Sequence, residues 1–293
     1  MQFYELFAAN GGLATTRQVL AVISRKELAD YLKAGALFRV WHGVYALEPP
    51  DTLIRLRALE LATGKPIVAC MGTAAELHGF DIEQDSRLHV LDPNVRIRPT
   101  ADLMVHQRSG ALLSRAQGRL VTAPAWTAVE VARTVNRRRV LANLDAALRS
   151  GTCSAVELGR AVDEQAGRRG IVAVRNLLPY ADSRAESPME SEARLVFLDG
   201  GLPAPVLQHE IVDRCGQLWR VDFAWPEAMV VAEYDSMEWH ANPAAWKRDR
   251  IKAARLGECG WSVVPFVVDD VRRYPADLVA RVASRLCARR LPG

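Results

Sequence analysis

Long apolar runs are missing from this 293-residue chain; the longest uninterrupted ones, such as Val19–Ile23 and Ile67–Met71, have five residues each. A membrane-spanning helix needs about 20, so none is expected. The opening MQFYELFAANGG has neither a basic n-region nor an apolar h-region, so no secretory signal is read there. Cysteine is sparse and scattered. Cys70, Cys153, Cys215, Cys259 and Cys287 form an odd count with no CxxC spacing, which argues against a disulfide framework and a zinc site. Reduced thiols and a cytoplasmic location are the expectation. Lysine is scarce beside arginine, 5 against 33. That ratio reads as genome composition first and as phosphate binding second, although arginine binds phosphate well.

What is present is ordinary for a globular protein: 49% hydrophobic and 25% charged residues with a net charge of +4. This composition excludes a disordered chain, a collagen-like chain and a disulfide miniprotein, and the length suggests two or three domains. The charge is unevenly spread. Residues 1–50, 51–181 and 182–293 balance at +1, +5 and −2. A basic footprint of the kind nucleic-acid binders carry is therefore weak and central. No internal repeat and no low-complexity segment occurs.

In residues 1–50, Phe3, Leu6 and Phe7 form an apolar stripe stopped by Asn10-Gly11-Gly12. Thr16 is placed to cap a short helix, and Ser24 with Glu27 forms a capping box for the next. The latter carries Leu28, Tyr31 and Leu32 and ends at Gly35. Two alternating runs around His42-Gly43 read as a hairpin. Three short helices and a hairpin are the plan of a winged helix-turn-helix, or of a helical subdomain for protein contact. Residues 51–181 read as a mixed α/β region. It has a helix over Leu53–Ala62, another near Thr73–Leu77, strands at Leu88–Leu91, Leu103–His106 and Gly118–Val121, and one long amphipathic helix over Thr127–Arg149. Arg133, Arg137, Arg138 and Arg139 then make a solvated helix face, or a phosphate contact. From Asp182 onward the order is helix, three strands, helix, strand, helix. Ser187, Pro188 and Glu190 start the first helix, and the whole gives a small mixed sheet flanked by helices.

Asp222 lies near the end of one strand, and Glu233 and Asp235 near the end of the next. Alternation puts Glu233 and Asp235 on one face. Antiparallel pairing would bring Asp222 to them, with Glu190 upstream. Converging carboxylates suit Mg²⁺, which activates water and neutralises a phosphodiester in its transition state. This spacing resembles the PD-(D/E)XK nucleases. The ordered motifs Ser-Pro-Met-Glu-Ser-Glu-Ala-Arg (187–194), Val-Asp-Phe-Ala-Trp-Pro (221–226), Glu-Tyr-Asp-Ser-Met-Glu-Trp-His (233–240), Arg-Asp-Arg (248–250) and Gly-Trp-Ser-Val-Val (260–264) resemble the very-short-patch-repair-like endonuclease branch over residues 182–293.

The resemblance implies Mg²⁺- or Mn²⁺-dependent hydrolysis of DNA phosphodiesters. Asp222 and Glu233 would hold the metal, Asp235 and Glu190 would assist, and His240 would be general base or acid. Asp249 matches a polar position of the following helix. Asp235 stands where the superfamily has Lys, leaving Lys247, Arg248 or His240 to supply that charge, and Ser236 stands where relatives of this branch commonly have Gly. The segments Gly12–Val19 and Gly35–Tyr45 resemble the winged helix of AbiEi-type antitoxins, and Thr122–Arg133 resembles a segment downstream of it. That resemblance implies DNA contacts from Arg17, Arg25, Lys26, Lys33 and Arg39, with Lys247 and Arg248 as further DNA-binding candidates in the last domain. The expected partners are DNA, a cognate toxin and a second copy in a homodimer. The alternative to a metal-dependent endonuclease is an antitoxin-like transcriptional regulator whose nuclease fold is degenerate.

Overall fold

The computed structural model describes residues 2–83, 85–92, 96–107, 109–235 and 243–288, with the side chains of 243–246 excepted. The chain is mixed α/β, as expected, with three sheets among the described residues. It divides into two compact units, Met1–Gly79 with Gln84–Thr127, and Phe80–Glu83 with Ala128–Gly293.

The first unit opens with α1 (Gln2–Ala9), β1 (Leu13–Thr15), α2 (Thr16–Leu20), α3 (Arg25–Lys33), β2 (Phe38–Trp41) and β3 (Val44–Ala46). The α1 helix stops at the two glycines, where Gly12 N–H closes on Phe7 O at 2.7 Å with φ of +87°. Thr15, one residue before the expected Thr16, caps α2 in a box with Gln18. Ser24 and Glu27 box α3 as read. Phe3, Phe7, Val19 and Leu28 meet Ala14, Leu37 and Tyr45 in one core. The hairpin gains a third strand that the sequence did not disclose, in the order β1-β3-β2.

Helix α4 (Thr52–Thr63) starts at Asp51, whose Oδ1 accepts from Ile54 N–H at 2.7 Å. It is apolar on two sides. Ala58 and Ile54 pack on Leu13, Val44 and Ala46 of the small sheet. Leu56 and Leu59 pack on Ile67, Ala69, Leu88, Val90 and Val121 of a second sheet. That sheet comprises β4 (Val68–Ala69), β5 (Leu88–Leu91), β6 (Leu103–His106), β7 (Leu113–Ala116) and β8 (Arg119–Thr122), in the order β6-β5-β4-β8-β7, with α5 (Met71–Leu77) following β4. Residues 1–50 thus share a unit with most of the region 51–127. The remainder of the expected middle segment, from 128, belongs with the last one.

In the second unit the single helix expected over 127–149 is two, α6 (Pro124–Ala132) and α7 (Arg137–Arg149). Asn136 breaks the run by capping α7, its Oδ1 accepting from Arg139 N–H at 3.2 Å. Next come α8 (Ala155–Glu164), α9 (Ile171–Leu177), α10 (Pro188–Asp199), β9 (Val206–Val212), β10 (Leu218–Trp225), β11 (Val230–Tyr234), α11 (Pro243–Glu258), β12 (Ser262–Phe266), α12 (Val268–Arg272) and α13 (Pro275–Ala288). The sheet runs β12-β11-β10-β9. Only β11 and β12 pair in parallel, and α11 is their crossover. Phe197 of α10 meets Phe223 edge-on at 5.3 Å in the core.

Of the arginines of α7 read as a solvated face, Arg137 is exposed, whereas Arg138 and Arg139 are half-buried. Arg138 Nη1 donates to Val271 O at 2.9 Å, Arg137 pairs with Asp199 at 2.7 Å, and Arg139 pairs with Glu83. Below them the buried Asp145 and Arg194 pair at 2.7 Å, joining α7 to α10. Among the described residues no helix is long and apolar enough to cross a membrane.

Candidate functional site

Two features of the second unit create an acidic centre. The first is the register of β10 against β11, which pairs Phe223 with Ala232 and Ala224 with Val231. The next step sets Asp222 opposite Glu233, and Tyr234 N–H donates to Asp222 Oδ2 at 2.8 Å.

The second feature is a reversal of faces. Residues i and i+2 of a strand normally share a face. Here Val221 packs with Ile211 and Leu256 in one core, while Phe223 packs with Leu207 and Phe197 in the other. Strands β9 and β10 turn over together at Gln208 and Asp222. Those two residues are missing from the ladder, and Gln208 has φ of +51°. That conformation is uncommon for a residue with a Cβ. The overturn frees Gln208 to donate from Nε2 to Glu190 Oε2 at 2.9 Å.

Glu190 arrives from the first turn of α10, where Ser187 Oγ accepts from its N–H at 3.1 Å. Its carboxylate does not complete a capping box with Ser187. It reaches back one residue further and accepts from Glu186 N–H at 2.9 Å. Glu190 is 6% exposed. Burial, and then the charge of Asp222, push its carboxyl up to about 7 against the hydrogen bonds from Glu186, Ser187 and Gln208. Burial likewise pushes Glu233 up to about 7, opposed chiefly by Lys252 and reinforced by Asp222 and Asp249. Asp222 is raised by burial, opposed by the Tyr234 N–H and by Lys252. Desolvation is the leading cause in all three.

Of the residues expected here, Glu190, Asp222 and Glu233 are brought together. Asp235 is not: it lies past the end of β11 with an exposed side chain, its N–H donating to Phe266 O at 2.8 Å. His240 lies outside the described residues, while Lys247, Arg248 and Asp249 are exposed on α11. The cation at the centre is Lys252, whose Nζ is 2.6 Å from Glu233 Oε1. It lies 19 residues beyond Glu233 in the chain, and only the α11 crossover brings it back. The nearest sequence signal was the run Lys247-Arg248 one turn earlier. Among the described residues no three His, Cys, Asp or Glu side chains are placed to hold a metal ion. As arranged, the carboxylates do not fit one, because each already has an internal donor or the ammonium.

In the first unit Leu28, Tyr31 and Leu32 turn α3 toward the core. Arg25, Lys26 and Lys33 are left exposed, as are Arg17 of α2 and Arg39 of β2. Glu27 is held by Ser24, its carboxylate accepting the Ser24 N–H at 2.8 Å and hydroxyl at 2.7 Å. Arg39 stands 5.9 Å from the centre of the Tyr45 ring, within reach of a cation–π contact.

A three-helix, three-strand head followed by a five-stranded mixed sheet is the setting of a further match. Residues 67–180 match the model of the AbiEi antitoxin C-terminal domain, an antitoxin-type domain. The chain belongs to the same family as two Mycobacterium tuberculosis proteins, Rv2248 of strain H37Rv and MT2308 of strain CDC 1551. Each is 59% identical over 271 residues, covering 92% of this chain and 100% of the relative. A solved structure, that of the RV2827C protein from Mycobacterium tuberculosis, is similar at 16% identity with a TM-score of 0.44, over 71% of this chain and 86% of that one.

Proposed function

We propose that the chain is a DNA-binding regulator of the antitoxin type, reading DNA with α3 of its head and meeting a cognate toxin as partner. The observation that carries this reading is the antitoxin-domain match at 67–180, directly behind a head whose α3 leaves Arg25, Lys26 and Lys33 exposed. Phosphate contacts from these cations position the protein, and base contacts from the same helix specify the site. The test is binding to DNA from upstream of the chain's own gene, in chelator. A double variant R25A/K26A lowers affinity across all sequences and reduces the log–log salt slope by about 2. Unaltered binding and slope would refute the role of α3.

A second reading, hydrolysis of DNA phosphodiesters with Mg²⁺ or Mn²⁺, draws on the convergence of Glu190, Asp222 and Glu233, and it requires the Lys252 ammonium to leave Glu233 before a metal ion enters. Supercoiled plasmid and single-stranded DNA incubated with Mg²⁺, Mn²⁺ or chelator decide it. Metal-dependent cleavage lost in both D222A and E233A supports the nuclease. DNA left intact, yet bound in chelator, supports the regulator alone.

A further inference from the structure

We propose that Lys252 is the built-in counter-ion of the carboxylate centre, and that a divalent cation reaches Glu233 only by displacing it. The proposal goes beyond the regulator reading and requires no DNA cleavage. It rests on a disagreement between the metal that the nuclease resemblance implies and the arrangement of these side chains.

Lys252 is not a loose surface lysine. One turn further along α11, Leu256 is fully buried with Val221, Ala224 and Val231, which fixes the root of the lysine over the sheet. Its side chain is 18% exposed, that of Glu233 22%, and their charged atoms are 2.6 Å apart. The same ammonium counters the charge of Asp222. The remaining carboxylate, Glu190, is closed by Glu186 N–H and by the Gln208 amide. Two residues after Glu233 in the chain stands the exposed Asp235, an acid rather than a cation. The cation thus comes from the helix rather than the strand. An ammonium and a metal ion need the same carboxylate oxygen and answer the same excess of negative charge. In a partly desolvated site they exclude one another by repulsion as well as by volume.

The experiment uses the full chain without DNA and Mn²⁺ alone as probe, with binding read by calorimetry or by the loss of free-ion Mn²⁺ resonance. Lys252→Met is expected to bind Mn²⁺ at least tenfold more tightly than the wild type. Lys252→Arg should stay near wild type, and adding Glu233→Gln to Lys252→Met should abolish the gain. Equal affinities in wild type and Lys252→Met overturn the proposal, as does a gain that survives Glu233→Gln. If Lys252→Met unfolds in chelator, millimolar Mn²⁺ should refold it while leaving the wild-type melting midpoint in place; failure of that rescue is equally fatal. DNA binding in chelator is measured on the same preparations, so failure of the regulator reading shows there and not in the Mn²⁺ affinities.

Discussion

Replacing Glu190 by Gln should stabilise the second unit at alkaline pH, although the residue is buried and hydrogen-bonded. The wild-type carboxyl is pushed from its ordinary 4.5 up to about 7 by burial and by the charge of Asp222. A folded-state value above the unfolded one means that the folded chain holds a proton which the unfolded chain has released. Stability from this group is therefore full below about pH 4.5 and is lost as pH rises through about 7. The span is about 2.5 pH units at about 1.4 kcal/mol each, or about 3 kcal/mol. A glutamine keeps an oxygen for the Glu186 N–H and the Gln208 amide and never ionises. E190Q should match the wild type near pH 4.5 and exceed it by about 3 kcal/mol at pH 8. In a unit of this size that corresponds to about 6–12 °C in melting midpoint. The assay is thermal or urea unfolding of both proteins at half-unit steps from pH 4.5 to 8. Parallel pH profiles, or an E190Q midpoint below wild type at pH 8, would refute the assignment of the proton to Glu190.

Asp145→Ala removes the 2.7 Å partner of the buried Arg194 and leaves it only Asp182 at 3.7 Å, and should cost about 3 kcal/mol in urea unfolding, the lower end of the range for a broken buried pair. Ser24→Ala removes an exposed cap from α3 and should cost about 1 kcal/mol by the same measurement. Gly170→Ala should be far worse than its size suggests. At φ of +86° a Cβ would lie 2.0 Å from Arg133 O, so the α6–α9 contact must open, and a loss of soluble expression or a fall in melting midpoint well beyond that of Ser24→Ala is expected.

Local chemistry was legible in the sequence; assembly was less so. The box at Ser24 and the cap at Ser187 follow from side chains acting on their own helix within three residues. Strands β5 and β6 span the residues read for them, Leu88–Leu91 and Leu103–His106. Strand β4 escaped notice because two residues, Val68 and Ala69, carry no period. The break between α6 and α7 escaped because apolar residues continue across it, Val131 and Val135 before and Val140 and Leu141 after, while Asn136 withdraws the backbone between them. Arg138 read as solvated because its acceptors, Val271 O and Arg272 O, are backbone groups more than a hundred residues away. At the acidic centre Asp222 and Glu233 were found from strand alternation. Lys252 and the overturn at Gln208 were not, since neither has a local signature: one depends on the crossover and the other on a single backbone angle.

Helix α4 is a wall common to two rooms. Its Ala58 side is lined by the small sheet and its Leu59 side by the five-stranded one, so neither core closes without it. Helix α3, which presents Arg25 and Lys26, therefore draws its stability from the same cooperative transition as the sheet behind it. A partner that binds only the folded five-stranded sheet raises the free energy of unfolding for both. Through that shared wall, occupancy at one sheet is felt as persistence of the other, without any change in shape.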